Sequence, residues 1–230
     1  MPIDFLQLTE QLERVHTGRL VLRQLALADA WPLYQATRNP LFNRHLLWPQ
    51  PEDVGQVLDR IDSIIDASRK GRLSAVSAMV KQTGEWVSLF RFQPHASRKD
   101  AVEMGVWTHD RHWHGRVSFE LGRACVDAAF ALSGIATLVG AASLDNRSSC
   151  RLMELCGMSP TVLVYRPSEE GSEVQLQEFE IRRARWAEAR SKPAFQSWPE
   201  RVMPIPAVRR PAKREIAAQS GAVVVPMAAD

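Results

Sequence analysis

Ala101-Val-Glu-Met-Gly-Val-Trp-Thr108 has the composition of a strand, and the basic turn Arg111-His-Trp-His-Gly-Arg116 follows it. An amphipathic pattern then predicts a helix over residues 118–132, and a second strand is predicted over residues 136–143. Backbone N–H groups at a helix N-terminus lack partners within the helix and lie at the positive end of the helix dipole. This strand–turn–helix–strand unit therefore predicts a binding site for a phosphate-bearing ligand.

The rest of the chain supplies further helices and strands around this unit. Apolar spacing predicts helices within residues 1–16, 27–38, 51–71 and 145–157. Alternating patterns predict strands over residues 17–25, 74–81, 86–92, 161–166 and 174–182. The helix over residues 118–132 is the one crossover, which we expect to be right-handed. The element order therefore predicts an α/β fold with a mixed sheet.

Composition is that of an ordinary globular protein, with 230 residues, 45% hydrophobic and 24% charged. This length fits one domain with extensions. The N-terminus lacks a basic region followed by an apolar core, and no apolar run reaches the roughly 20 residues that cross a bilayer. We therefore expect a cytoplasmic protein with no membrane partner.

The net charge of +3 arises in residues 191–230, which hold six basic residues, three acidic residues and 6 of the 14 prolines. The preceding residues are formally neutral, so their charge gives no reason to expect nucleic-acid binding. Lack of periodicity predicts a domain over residues 1–190 and a disordered Pro/Arg/Ala-rich tail over residues 191–230. Cys125, Cys150 and Cys156 have neither metal-pair spacing nor an even count, so we expect reduced, mostly buried thiols.

Four motifs occur in a specific order along the chain. They are Thr17-Gly-Arg-Leu-Val-Leu-Arg-Gln-Leu25 with Asp29-Ala30, Val102-Glu-Met-Gly-Val-Trp107, Trp113-His-Gly-Arg-Val-Ser-Phe-Glu120, and Asp145-Asn-Arg-Ser-Ser149 running to Met153-Glu-Leu-Cys-Gly-Met158. Each motif alone is weak, but together they resemble the GNAT acyltransferases, in the branch of the ribosomal-protein N-terminal acetyltransferases. The resemblance covers residues 17 to about 186.

This resemblance implies transfer of an acetyl group from acetyl-CoA to a primary amine by direct attack in a ternary complex. The acceptor is either a small molecule or a protein N-terminus. The implied fold is a mostly antiparallel, V-shaped splayed sheet flanked by helices, with no metal and no covalent enzyme intermediate. We expect the protein to act as a monomer or a homodimer.

The cofactor site implied by the resemblance agrees with the properties of the residues. An extended pantetheine arm can pair with the open edge of the strand at residues 104–108 as another strand would. The turn at residues 111–116 offers N–H groups and positive charge to the pyrophosphate. The expected contacts come from the strand, the turn and the first turns of two helices: Met104, Val106, Trp107, Thr108, Arg111, His114, Gly115, Arg116, Val117, Ser118, Asn146 and Ser149.

One departure from the family concerns this turn. The family has glycines at the positions aligned with His114 and Arg116, where a non-glycine residue in the left-handed region costs on the order of 1–2 kcal/mol. Either Gly115 takes over that role, with Arg116 contacting phosphate directly, or the pocket is altered. The second alternative describes a degenerate GNAT fold that binds CoA weakly or not at all and acts as a non-catalytic interaction module.

Two residues are candidates for proton transfer in the implied reaction. Glu103 lies on the central strand, where the family often places the carboxylate that removes the amine proton, and the alternative is an ordinary ion pair. Ser149 is a candidate to protonate the departing CoA thiolate, and the alternative is helix capping. Asn146 either caps this helix only or also contacts the pantetheine arm.

The acceptor site has three candidates. His45 and Trp48 lie in the segment that lines the acceptor groove in this branch, and ordinary packing is the alternative for both. Glu178, on the last strand, is a candidate to face the substrate as a second candidate base, although a solvated strand face is favoured. The three histidines between residues 109 and 114 lack a cysteine or carboxylate set that would complete a zinc site, so no metal is expected.

Overall fold

A seven-stranded sheet runs through the protein in the computed structural model, which describes residues 3–45, 47–113, 117–132 and 134–191. Its spatial order is β1-β2-β3-β4-β5-β7-β6, and every neighbouring pair is antiparallel except β4 and β5, which are parallel. The strands are β1 (Leu20–Gln24), β2 (Ser74–Val80), β3 (Trp86–Pro94), β4 (Ala101–Thr108), β5 (Thr137–Ala142), β6 (Ser159–Pro167) and β7 (Glu173–Arg182).

Helices cover both faces of this sheet, and α5 makes the crossover between the parallel strands β4 and β5. Short 3-10 turns at Leu27–Asp29 and Asp110–His112 precede α2 and follow β4. The described residues form the α-helices α1 (Phe5–Glu13), α2 (Ala30–Thr37), α3 (Pro40–Asn43), α4 (Val54–Arg69), α5 (Val117–Phe130), α6 (Arg147–Leu155) and α7 (Arg183–Ser191).

Each face of the sheet buries its own apolar core because side chains alternate along a strand. Phe90 of β3 lies in a core with α1 and α5, where Leu121 is fully buried. Its neighbour Leu89 lies in a second core on the opposite face with α2 and α4, where Ile61 is fully buried. We call these the α1–α5 face and the α2–α4 face.

The parallel pairing of β4 with β5 is short. It joins Ala101–Glu103 to Thr137–Val139, and beyond these residues the described part of β4 pairs with β3 only and that of β5 with β7 only. The two strands therefore diverge after Glu103. A Cβ placed on Gly140 would lie 2.7 Å from Met153 Sδ, so glycine at this position lets α6 pack closely where the strands part.

The predicted α/β fold with a splayed, mostly antiparallel sheet is confirmed, and each predicted helix and strand is present. β4 begins and ends at the predicted residues 101 and 108. Two helices were missed, namely α3 and α7. The helix predicted over residues 27–38 does end before Asn39, but a new helix follows directly: Pro40 is the first residue of α3, and Asn39 Oδ1 accepts a hydrogen bond from Leu41 N at 3.0 Å.

Two predictions concern the chain ends and membranes. No helix among the described residues is long and apolar enough to span a membrane. Residues 192–230, which make up nearly all of the predicted tail, lie outside the described residues, and Ser191 ends α7. The division into a domain and a disordered tail therefore stays a prediction.

Candidate active site

The open edge of β4 beyond Glu103 is the centre of the site. Met104 and Val106 pack on the α1–α5 face, whereas Trp107 packs on the α2–α4 face. Because β5 has diverged, the backbone N–H and C=O groups on this side of residues 104–108 have no neighbouring strand in the described chain. An extended ligand can therefore add to the sheet here as a strand.

The turn after β4 is fixed by side-chain hydrogen bonds to the backbone. Trp113 Nε1 donates to the carbonyl oxygen of Thr108 at 2.9 Å, and Arg111 N donates to His109 Nδ1 at 3.4 Å. The side chain of Arg111 is exposed. Residues 114–116 lie outside the described residues, so the contacts predicted for His114, Gly115 and Arg116 stay predictions, as does the effect of the missing glycines.

The first turn of α5 lies beside the end of β4. Val117 begins the helix and is buried, and the half-buried Ser118 places its Oγ 3.5 Å from Thr108 Oγ1. Glu120, also in this turn, accepts a hydrogen bond from Arg19 Nε at 2.8 Å. The N-terminus of α5 is thus held next to the open edge, where it can attract an anionic group.

Two histidines in the turn after β4, His109 and His112, are buried. His109 Nδ1 lies 2.6 Å from Asp110 Oδ1, and His112 Nε2 lies 3.5 Å from Glu85 Oε1. Burial lowers the pKa of both histidines and outweighs the opposing effect of these carboxylates. Among the described residues there is no group of three or more His, Cys, Asp or Glu side chains that could hold a metal ion.

The start of α6 combines capping with a free amide group. Asn146 Oδ1 accepts a hydrogen bond from Ser149 N at 3.2 Å, which makes Asn146 the N-cap. Its side-chain NH2 group has no hydrogen-bond partner among the described residues. Ser149 is half-buried in the first helical turn. The cap is therefore observed, and the predicted contact of Asn146 with the pantetheine arm and the predicted proton donation by Ser149 stay predictions.

Glu103 lies on the α2–α4 face at the last residue where β4 pairs with β5. Its Oε1 forms an ion pair with Arg166 Nη1 of β6. Its Oε2 has no hydrogen-bond partner among the described residues. The ordinary ion pair is thus present, and the role of Glu103 as the base stays a prediction.

His45 and Trp48 lie in the loop between α3 and α4. His45 is close to the end of β5, and Trp48 is close to β4, so the two residues lie on opposite sides of the gap between the diverging strands. His45 Nδ1 is 3.2 Å from Ser143 Oγ, just after β5. Trp48 is buried, and its ring centroid lies 6.0 Å from that of Trp107 on β4. This loop therefore crosses the open end of the site, from β4 to the end of β5.

Glu178 is not on a solvated strand face, and that part of the sequence interpretation was wrong. The residue is 6% exposed, with Oε2 3.3 Å from His95 Nε2 and Oε1 3.4 Å from Arg98 Nη2. Both partners belong to the loop between β3 and β4, which covers this part of β7. Contacts between residues about 80 positions apart leave no trace in the local alternation pattern.

Sequence reasoning missed a group of arginines on the α2–α4 face. Arg60 of α4 lies with its Cζ 4.3 Å from the Trp48 ring centroid, and Arg91 of β3 lies 5.6 Å from that of Trp107. Arg166 pairs with Glu103. The one available signal was Arg91, because it shares a strand face with the buried Leu89.

The three cysteines are free thiols, and Cys125 and Cys156 are buried. Burial raises the pKa of Cys156 to about 12 and also raises the pKa values of Cys125 and Cys150. These thiols are therefore protonated near neutral pH and are poor nucleophiles.

Comparison with known proteins assigns the chain to a family. The acetyltransferase (GNAT) domain family matches residues 19–159, more than half of the chain. The chain therefore belongs to the GNAT acetyltransferases, as the sequence motifs indicated. Membership identifies it as an acyl-CoA N-acyltransferase and does not favour the non-catalytic alternative.

One N-acetyltransferase is similar to the chain in sequence, and two solved structures are similar to it in fold. The uncharacterized N-acetyltransferase p20 of Bacillus licheniformis is 26% identical over 142 residues, which are 62% of this chain and 80% of p20. The ribosomal L7/L12 alpha-N-protein acetyltransferase RimL, solved with coenzyme A, has a similar fold with a TM-score of 0.62 and 14% identity, covering 72% of this chain and 95% of RimL. Spermidine N-acetyltransferase from Vibrio cholerae, solved with CoA and spermine, has a similar fold with a TM-score of 0.62 and 12% identity, covering 74% of this chain and 99% of that enzyme.

Proposed function

We propose that the protein transfers an acetyl group from acetyl-CoA to a primary amine, on a small molecule or a protein N-terminus, by direct attack in a ternary complex. The observation that carries this proposal is the divergence of β4 and β5 after Glu103, which opens a backbone edge beside a carboxylate. Complexes of RimL with coenzyme A and of spermidine N-acetyltransferase with CoA and spermine support acetyl-CoA and an amine as the two substrates.

In the proposed arrangement, the pantetheine arm adds to the open edge of β4 and places the thioester near Glu103. The amine nitrogen attacks the thioester carbonyl carbon, the C–S bond breaks, and the amine loses a proton to Glu103 Oε2. The departing thiolate takes a proton from the Ser149 hydroxyl, which takes one from solvent water in the same step, and the proton held by Glu103 is afterwards released to solvent. Holding amine and thioester together supplies most of the acceleration, because correct placement removes much of the entropic barrier.

Glu103 is a better candidate for the base than Glu178. Both oxygens of Glu178 face cationic or N–H groups, and Ser97 N donates to His95 Nδ1 at 3.3 Å. Both oxygens of Glu178 therefore already have described partners, whereas Glu103 Oε2 has none among the described residues.

Titration calorimetry with acetyl-CoA, CoA and a longer acyl-CoA tests the proposal. We expect micromolar binding of acetyl-CoA, roughly −8 kcal/mol. The longer acyl-CoA reports on the acyl-chain preference. A transfer assay with a panel of amines then measures CoA release. If the protein binds none of the three compounds, the proposal is contradicted, and the result would favour the degenerate, non-catalytic alternative.

Asn146→Asp tests the cofactor contact at α6. Aspartate keeps the oxygen that caps Ser149 N but removes the side-chain NH2 group. We expect unchanged thermal stability and weaker acetyl-CoA binding in the same calorimetric measurement, because a carboxylate cannot donate to the pantetheine carbonyls. Equal affinity in the variant would restrict Asn146 to helix capping.

A further inference from the structure

The charged groups around the proposed acceptor site do not balance. Three arginines lie on the α2–α4 face, namely Arg60 of α4, Arg91 of β3 and Arg166 of β6, and only two carboxylates pair with them. Arg60 pairs with Glu169 at 2.6 Å, and Arg166 pairs with Glu103. Arg91 is left as the arginine of this group with no ion pair or hydrogen bond to a described residue.

Arg91 has few other interactions that would compensate its charge. The guanidinium is half-buried, and its Cζ lies 5.6 Å from the Trp107 ring centroid. Burial lowers the pKa of Arg91, although the charge of Glu103 opposes this effect. A partly desolvated guanidinium with no carboxylate partner is costly to maintain, so a role in binding is the natural explanation.

The space beside Arg91 is open. Arg91 lies directly across from Gly105 in the β3–β4 register, and a Cβ placed on Gly105 would have no atom of the described residues within 4 Å, apart from those of its two chain neighbours. Glu103 and Trp107 share this strand face and border the space on either side of Gly105. A ligand that enters here meets the proposed base and Arg91 together.

A second donor in the same group has no partner among the described residues. Trp48 is 8% exposed, and its indole Nε1 is inaccessible to solvent and has no hydrogen-bond partner in the described part of the chain. The Trp48 ring lies next to Trp107, which in turn contacts Arg91. A buried N–H group without a partner is uncommon in folded proteins and indicates a missing acceptor. The group thus offers donors in excess of acceptors.

We infer that the acceptor amine carries an anionic group, a carboxylate or a phosphate, which Arg91 binds. The inference rests on the proposed function, because the amine must reach Glu103 while the anion reaches Arg91. Arg91 and Glu103 are diagonal neighbours on the paired strands β3 and β4, and such residues are roughly 7–8 Å apart. In the acceptor, the anionic group and the amine are therefore separated by a few bonds. The planar guanidinium fork suits both carboxylate and phosphate.

Matched pairs of amines test this inference. The pairs are L-alanine with L-alaninamide, Asp-Ala-amide with Asn-Ala-amide, and O-phosphoethanolamine with ethanolamine, which separate an α-carboxylate, a side-chain carboxylate and a phosphate. Binding of each amine to the CoA-loaded protein is measured by NMR, and acetyl transfer is measured with acetyl-CoA. We expect at least one acidic member to bind about tenfold or more tightly than its neutral partner.

Variants assign the preference to Arg91. Arg91→Gln should reduce the acidic-to-neutral ratio towards one while acetyl-CoA affinity is unchanged, and Arg91→Lys should keep part of the preference. Gly105→Ala, which fits the protein sterically, should weaken binding of the acidic amine. Arg69→Gln, an exposed arginine at the end of α4, is the matched control and should keep the full preference. If Arg91→Gln does not fold, the inference is tested by Arg91→Lys and Gly105→Ala instead, and an unchanged acidic preference in both would contradict it.

The outcomes distinguish the inference from the proposed function. Acetyl-CoA binding with no acidic preference in any pair, or a preference that Arg91→Gln retains, would overturn the inference and leave the acetyltransferase proposal standing. Loss of acetyl-CoA affinity in Arg91→Gln would assign Arg91 to the cofactor instead and would also overturn it. Absence of acetyl-CoA binding by the wild type would overturn the proposed function itself.

Discussion

At the scale of single residues, the two oxygens of Glu103 differ in their surroundings. Oε1 is paired with Arg166, and Oε2 has no described partner. Glu103→Gln keeps an oxygen for Arg166 and removes the proton acceptor. We expect kcat to fall by about 10²-fold, the lower end for general base catalysis, with an unchanged KM for acetyl-CoA. Steady-state kinetics across pH 6 to 9 measure both values.

The control for this variant is Glu173→Gln, which neutralises an exposed carboxylate at the start of β7. It should have wild-type kinetics. Turnover of Glu103→Gln that matches the wild type over the whole pH range would show that Glu103 is not the base.

Protonation of His112, in the turn after β4, should lower the stability of the protein at mildly acidic pH. Burial lowers the pKa of His112 and of His109, so the unfolded chain, with a histidine pKa of about 6.5, binds protons at a higher pH than the folded chain. The free energy of unfolding should therefore fall as the pH drops from 7 to 5. His112→Gln should reduce this difference, measured by urea unfolding at both pH values.

Exposed His16 provides the matched substitution for that measurement. His16→Gln should keep the wild-type difference between pH 7 and pH 5. An identical difference in all three proteins would exclude His112 as a source of the pH dependence.

At the scale of elements, Arg183 joins the C-terminal end of α5 to the start of α7. Its guanidinium donates to the carbonyl oxygens of Phe130, Leu132 and Ile135, with Nε 3.0 Å from the last. These carbonyls belong to the last residue of α5 and to the residues that follow it, where helical partners are lacking. The side chain therefore stabilises the connection between α5 and β5, on which the position of the crossover depends.

Arg183→Met should lower the free energy of unfolding by about 2 kcal/mol, because hydrogen bonds to a charged donor are lost. Arg182→Met changes the neighbouring exposed arginine, which pairs with Glu180 at 3.0 Å, and should change stability by less than about 0.5 kcal/mol. Urea unfolding of both variants measures the difference. Equal losses would mean that the carbonyl contacts contribute nothing specific.

At the scale of the whole molecule, the sheet consists of two parts joined by three parallel residue pairs. Acetyl-CoA bound along the open edge would protect amides of β4 between residues 104 and 108. At a ligand concentration about ten times Kd, we expect roughly tenfold slower hydrogen exchange there. Exchange in β1, at the far edge of the sheet, should be unchanged. Uniform protection of the whole sheet would indicate global stabilisation rather than strand addition.

The sequence predicted the parts of the structure that depend on local pattern. The strand at residues 101–108 and the cap at Asn146 follow from alternation and from side-chain chemistry within a few residues. The burial of Glu178 and the pairing of Glu103 with Arg166 did not follow, because their partners lie 83 and 63 positions away. The surroundings of Arg91 likewise depend on tertiary packing, which single-sequence patterns do not encode.

The loop between α3 and α4 contacts both parts of the splayed sheet. Arg44 pairs with Asp145 at 3.2 Å, and the carbonyl oxygen of Leu47 accepts a hydrogen bond from Glu169 N at 2.8 Å. Trp48 packs near Trp107. One contiguous stretch thus borders the proposed acceptor site, while β4 carries the proposed base. In an evolving or engineered lineage, exchanging this stretch could change the choice of amine without altering the strand on which the chemistry depends.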